Sequence, residues 1–168
     1  MTQGLRVLGL WLGLVASVGA NDQPQTLEVL ARLEPGGIQV RLDDRERQWR
    51  REHPVLRMGI SGPDYPPFEI TRQQHELEGL TADYGDLMAQ LLGIRIEVRR
   101  FADRPALMAA LKRGDVELLG TSNSFEAADP AFILSRPYAE DQPMLVTRHD
   151  EKLPADLTAK RIAMVEDY

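Results

Sequence analysis

Asp64-Tyr65-Pro66-Pro67-Phe68 sets two aromatic rings in a loop that carries two prolines. A loop stiffened in this way loses little entropy when its rings close on a ligand, so the chemistry it offers is stacking on a small molecule. For Phe68 a place in the local core is an equal alternative, whereas Tyr65, with its polar tip, is better suited to a ligand. Thr121-Ser122-Asn123-Ser124 supplies hydroxyls and backbone N–H groups in a short polar run. Thr121, Ser122 and Ser124 suit a carboxylate or another polar group, with an ordinary capping turn as the alternative. Thr81 and Asp83 open an apolar-periodic stretch, where helix capping and dipole matching account for them. Asp83 stays among the candidate ligand contacts.

Nothing in the chain reads as a catalytic constellation. His53, His75 and His149 are far apart and in no metal-ligand spacing. There is no GxSxG and no HExxH, and Gly59-Ile60-Ser61-Gly62 lacks the Lys-Ser/Thr of a phosphate-binding loop. Glu126/Asp129 and Glu140/Asp141 sit in hydrophilic stretches and read as solvated carboxylates. With no cysteine, disulfides, thiolate metal sites and a cysteine nucleophile are excluded. No catalytic residue, metal or cofactor is therefore expected. Binding is the chemistry on view.

The 168 residues are 43% hydrophobic and 27% charged, an ordinary globular balance, and the formal charge of −6 argues against nucleic acid as a partner. Arg6 precedes the apolar run VLGLWLGLVASV, and Gly19-Ala20 closes it. A basic start, a short apolar run and a small-x-small ending describe a secretory leader over residues 1–20, with Asn21 as the first mature residue. The run falls short of the ~20 residues that a bilayer core requires, and no later stretch is long and apolar enough to span one. Export of the mature chain is expected, to the periplasm if the source is bacterial.

Several elements must hold the binding residues. Leu27–Leu33 and Ile38–Leu42, separated by Pro35-Gly36-Gly37, predict a hairpin. Asp43 and Glu46 form a capping-box pattern for a helix that stops near His53, before Pro54. Val55–Ile60 predicts a buried strand, and Gly79-Leu80-Thr81 opens a helix with Tyr84, Leu87, Met88, Leu91 and Leu92 as its apolar stripe and Gly93 past its end. Ile94, Ile96 and Val98 alternate with charged residues as a strand does. Asp103 caps a helix that Gly114 closes, Val116–Gly120 is the next strand, and Phe132–Leu134 and Met144–Thr147 are further extended pieces. Strand alternating with helix makes the fold α/β with a largely parallel sheet. Ligands bind such sheets beyond the carboxyl ends of the strands, so the loops 61–68, 100–104 and 121–125 should gather there.

Met58-Gly59-Ile60, the Asp64–Glu69 loop, Gly79-Leu80-Thr81-Ala82-Asp83-Tyr84, Leu111-Lys112-Arg113-Gly114-Asp115-Val116-Glu117-Leu118 and Ser135-Arg136-Pro137-Tyr138 follow one another in order. In this the chain, from about Leu56 onward, resembles the family 3 periplasmic solute-binding proteins. The preceding Trp-bearing helix and the wording Gly79–Tyr84 look most like the sensory Venus-flytrap domains of hybrid histidine kinases of the BvgS type. The resemblance implies two lobes with a small molecule, an amino acid or small organic acid, held between them. It divides the chain into a leader (1–20), an N-terminal hairpin and helix (21–54), periplasmic-binding-protein-like lobe 1 (55–141), a hinge crossing (142–152) and the start of lobe 2 (153–168), with about a hundred further residues needed to complete lobe 2.

Carried over by position, Tyr65 matches a ligand-stacking aromatic, and Thr121, Ser122 and Ser124 match a loop that grips a ligand carboxylate. Arg104 falls near a second stacking aromatic, so a cation stands there in place of a ring. Amino-acid receptors carry Thr-Pro-Glu-Arg in the next loop, and its Arg clamps the α-carboxylate; this chain has Ala128 or Asp129 at that point. An ordinary α-amino acid would lack its clamp. The resemblance implies a membrane-anchored sensor kinase as the parent and leaves a homodimer open. A free receptor of an ABC importer and a flytrap module of a lytic transglycosylase are the alternatives.

Overall fold

A computed structural model describes residues 23–124, 126–140, 144–152, 156–158 and 160–163. Its elements in chain order are β1 (Gln25–Val29), α1 (Asp44–Glu52), β2 (Val55–Ser61), β3 (Ile70–Arg72), β4 (Glu76–Glu78), α2 (Leu80–Leu92), β5 (Arg95–Phe101), α3 (Arg104–Arg113) and β6 (Leu118–Leu119), with a 3₁₀ turn at Glu126–Ala128. The helix ends follow from local chemistry. Asp43 accepts from the Glu46 amide at 2.8 Å while the Glu46 carboxylate accepts from the Asp43 amide at 2.7 Å, which satisfies two donors at the start of α1. Asp103 accepts from the Ala106 amide at 2.8 Å to start α3. Gly93 and Gly114 close α2 and α3 in the left-handed conformation.

The six strands form one mixed sheet in the order β3-β4-β1-β5-β2-β6. Its centre is parallel, as the alternation of strands and helices predicts: β2 runs beside β5 from Val55↔Arg95 to Ser61↔Phe101, and beside β6 at Met58↔Leu118. One core joins Leu27, Met58, Ile60, Leu77, Val98 and Ala82 of α2. A second joins Phe101 and Val116 to Leu107 and Ala110 of α3.

Three expectations are corrected. The Pro35 turn forms, with the Ile38 amide donating to the Pro35 carbonyl at 2.9 Å, yet the expected hairpin does not: Ile38 and Val40 are exposed and lie in no strand. Instead β1 inserts between β4 and β5, parallel to the one and antiparallel to the other, and buries Leu27 opposite Val98. An isolated two-stranded hairpin is marginal in water, and a place inside a larger sheet with a buried side chain is better.

Along α2 the fully buried residues are Thr81, Ala82 and Gly85, while Tyr84 is 39% exposed. Small residues let the helix approach the sheet closely; a Cβ on Gly85 would stand 3.1 Å from Met58 Cε.

Phe132–Leu134 and Met144–Thr147 join no strand among the described residues, and Ile133, Met144 and Val146 are almost fully exposed. The predicted leader, Asn21, Phe125, Gln142 and residues 164–168 lie outside the described residues, and Arg161, Ile162 and Ala163 in the expected start of lobe 2 are exposed and join no strand. Among the described residues no helix is long and apolar enough to cross a membrane.

Candidate functional site

Because β2, β5 and β6 run parallel, their carboxyl ends share one edge of the sheet, and the loops that leave them meet there. The Gly62 amide donates to the Phe101 carbonyl at 3.1 Å, joining the first loop to the end of β5. Arg100 Nη2 stands 3.4 Å from Asp64 Oδ1. Arg104 Nη2 donates to the Thr121 carbonyl at 2.7 Å, joining the turn after β5 to the loop after β6. Three backbone segments distant in sequence are thereby held in one place.

An aromatic wall rises from the first loop. Tyr65 and Phe68 stack with ring centroids 5.0 Å apart, Phe68 meets Tyr138 edge-on at 6.5 Å, and Tyr138 lies 4.9 Å from Tyr84. Such geometries add to simple burial, so the four rings support one another. Tyr138 arrives from a segment with no regular secondary structure and is held by its hydroxyl, which donates to the Gly120 carbonyl at 2.8 Å and lies 3.1 Å from Thr81 Oγ1.

Beneath the wall is Glu69, only 3% exposed, its backbone paired with Tyr65 by two 2.8 Å hydrogen bonds. Its Oε1 has no hydrogen-bond partner. Gly120 is what makes room, since a Cβ there would lie 2.6 Å from that oxygen and 2.6 Å from Thr81 Cγ2. Burial pushes the Glu69 carboxyl up to about 7; the Thr121 hydroxyl, the Arg104 charge and the Thr81 hydroxyl pull against it, and Asp64 pushes with it. It is a buried acid poised near neutrality.

Arg104 meets Glu126. Its Nε donates to Oε1 at 2.7 Å and its Nη2 to Oε2 at 2.6 Å, a bidentate fork between side chains that are each about four-fifths buried. Ser122 Oγ donates to the same Oε2 at 3.0 Å. Burial alone would raise the Glu126 carboxyl, but the hydrogen bonds and charge of Arg104, with Ser122 and the Asn123 backbone, hold it below the usual range. Glu126 is therefore no solvated carboxylate, a correction to the expectation from its hydrophilic surroundings. Its acidic neighbour Asp129 pairs with Lys112 at 3.1 Å.

Of the candidate residues, Tyr65, Phe68, Arg104, Thr121 and Ser122 are drawn to this edge, and Ser124 is exposed on the same loop as Ser122. Asp83 has another partner: its Oδ1 accepts from the Arg32 amide at 2.6 Å and anchors the segment after β1. Sequence reasoning missed Glu69, Glu126 and Tyr138. A glutamate directly after an aromatic loop was the one available signal for Glu69. No group of three or more His, Asp or Glu side chains among the described residues could hold a metal ion. The hollows of about 400 and 380 Å³ lie elsewhere, one between α2 and the start of β5 and the other between α1 and the end of α2.

Residues 56–164 match the profile of the bacterial extracellular solute-binding proteins, family 3. The chain is 35% identical over 146 residues to the virulence sensor protein BvgS of Bordetella bronchiseptica, covering 86% of this chain and 12% of that protein. Against the sensor protein EvgS of Escherichia coli K12 it is 29% identical over 139 residues, covering 77% of this chain and 11% of that one. The chain thus spans about an eighth of the length of the curated relatives it matches. The crystal structure of the periplasmic domain of B. pertussis BvgS matches with a TM-score of 0.63 at 35% identity, over 68% of this chain and 22% of that one. The sheet with its helices has the periplasmic-binding-protein-like, Venus-flytrap architecture of that domain.

Proposed function

Given that the chain belongs to the bacterial extracellular solute-binding proteins of family 3, we propose that its residues 55–141 are the first lobe of a periplasmic sensory flytrap, part of a membrane-anchored hybrid sensor kinase. The carrying observation is the 35% identity to BvgS over 86% of the chain. Export by the residue 1–20 leader and a small-molecule ligand complete the reading. Tyr65 and Phe68 supply the stacking face, Thr121, Ser122 and Ser124 supply polar contacts beyond β6, and Arg104, paired with Glu126, stands between them. Closure of a second lobe on a solute at this edge would favour one of two states of the receptor, and the energy difference between those states is what reaches the kinase.

Membrane fractionation of the full-length protein tests the sensor assignment. It should stay with the membrane after an alkaline wash. Release of the whole protein by osmotic shock would instead mark a free receptor.

A further inference from the structure

The Arg104–Glu126 fork has the form that a bound solute carboxylate would take, but both partners belong to this chain. Two parallel N–H···O bonds of 2.7 and 2.6 Å run from one guanidinium edge to both carboxylate oxygens, and a serine hydroxyl adds a third at 3.0 Å. The donors come from the start of α3, just past β5, and from the loop after β6, the position from which ligands of open α/β sheets are held. Glu126 is itself set in place, because its amide donates to Asn123 Oδ1 at 3.0 Å at the start of the 3₁₀ turn.

We propose that Glu126 is a built-in occupant of the anion position of this lobe, and that it makes the cleft reject carboxylates there and select neutral or cationic solutes. This rests on the solute-binding reading above and adds to it the class of ligand and the residue that decides it.

The physical reason is competition. A carboxylate tethered through a short loop acts at an effective concentration of roughly millimolar or more. A free carboxylate arriving at lower concentration gains the same hydrogen bonds only by expelling Glu126, which would then be left beside its loop without a partner. Charge points the same way. Arg104 and Glu126 cancel, and Glu69, a buried acid, lies within electrostatic reach of Arg104. An anion would gain no net charge from Arg104 while Glu126 holds it, whereas an amine or an uncharged polar solute does not need that charge. Rejection is thus built from a repulsive element already filled by the chain.

The test removes the occupant and supplies a substitute. Acetate is titrated into the full-length protein in chloride-free buffer, and binding is read from saturation transfer to the acetate methyl group. Glu126→Ala should take up acetate about tenfold or more tighter than wild type, the scale of one charge-assisted pair. Adding Arg104→Ala should abolish the gain. Glu126→Gln keeps the side-chain shape, guards against a folding defect in the alanine variant, and should show a smaller gain of the same sign.

Equal acetate binding by wild type and both Glu126 variants would overturn the proposal, as would a gain that survives Arg104→Ala. Failure of the solute-binding reading looks different: Tyr65→Ala would leave sensor output unchanged while Glu126→Ala still captured acetate.

Discussion

The hydroxyl of Tyr138 donates to the carbonyl of Gly120 at 2.8 Å and so ties an irregular segment to the carboxyl end of β6. The same residue meets Phe68 and Tyr84 by its ring, which makes it the post that connects the first loop, α2 and the third loop. Tyr138→Phe keeps the ring contacts and removes the hydroxyl. It should cost about 1 kcal/mol, the net worth of one hydrogen bond. Thermal melts of the variant and wild type check this, and Tyr138→Ala should cost clearly more because the ring contacts go as well.

Glu69 makes stability depend on pH. Below about pH 4.5 the group is neutral in both folded and unfolded chains. Between there and about 7 the unfolded chain gives up its proton while the folded one keeps it, so stability falls as pH rises. Above about 7 the folded state ionises too, and the loss is complete at about 3 kcal/mol. Glu69→Gln is neutral throughout and should flatten this slope. Melting curves at about pH 5 and about pH 8 should show the variant gaining on wild type much more at the higher value.

Leu27→Ala tests the place of β1. Buried opposite Val98, this side chain should cost about 2–5 kcal/mol when truncated. A side chain in a solvated leader would cost almost nothing. Denaturant unfolding separates the two outcomes.

How far the molecule was legible in the sequence depended on how local each cause was. The Asp43/Glu46 box, the Asp103 cap and the glycines after α2 and α3 act within one turn, and each was predicted where it stands. The alternation of Ile96 and Val98 marked β5 for the same reason. β1 was misplaced because its partners, Val98 and Leu77, are about seventy and fifty residues away, and nothing near Leu27 encodes them. β4 carries a single apolar residue, Leu77, between two glutamates, too little for any periodicity.

The site divides along the same line. The rings of the first loop and the hydroxyls after β6 announce themselves by type. Glu69 is buried by Thr81 and Gly120, and Glu126 is claimed by an arginine 22 positions earlier. Those relations exist only once the sheet has formed.

Tyr65 bears most directly on binding. Tyr65→Ala removes one face of the stacked pair with Phe68 and should weaken a solute that stacks there by about 1–2 kcal/mol. The concentration needed for half-maximal response in the full-length protein should rise by about tenfold. An unchanged dose–response would move the stacking surface elsewhere.

The central claim is that this edge of the sheet is where the sensor is read. It is tested most directly by phosphoryl incorporation into the full-length protein in membrane vesicles, comparing wild type with Tyr65→Ala, Thr121→Val and Ser122→Ala. Trp49→Ala, in α1 and exposed, is the control. The account predicts that the three edge variants shift incorporation by about fivefold or more at equal protein level while the control matches wild type. Equal incorporation by all four variants and wild type would contradict it.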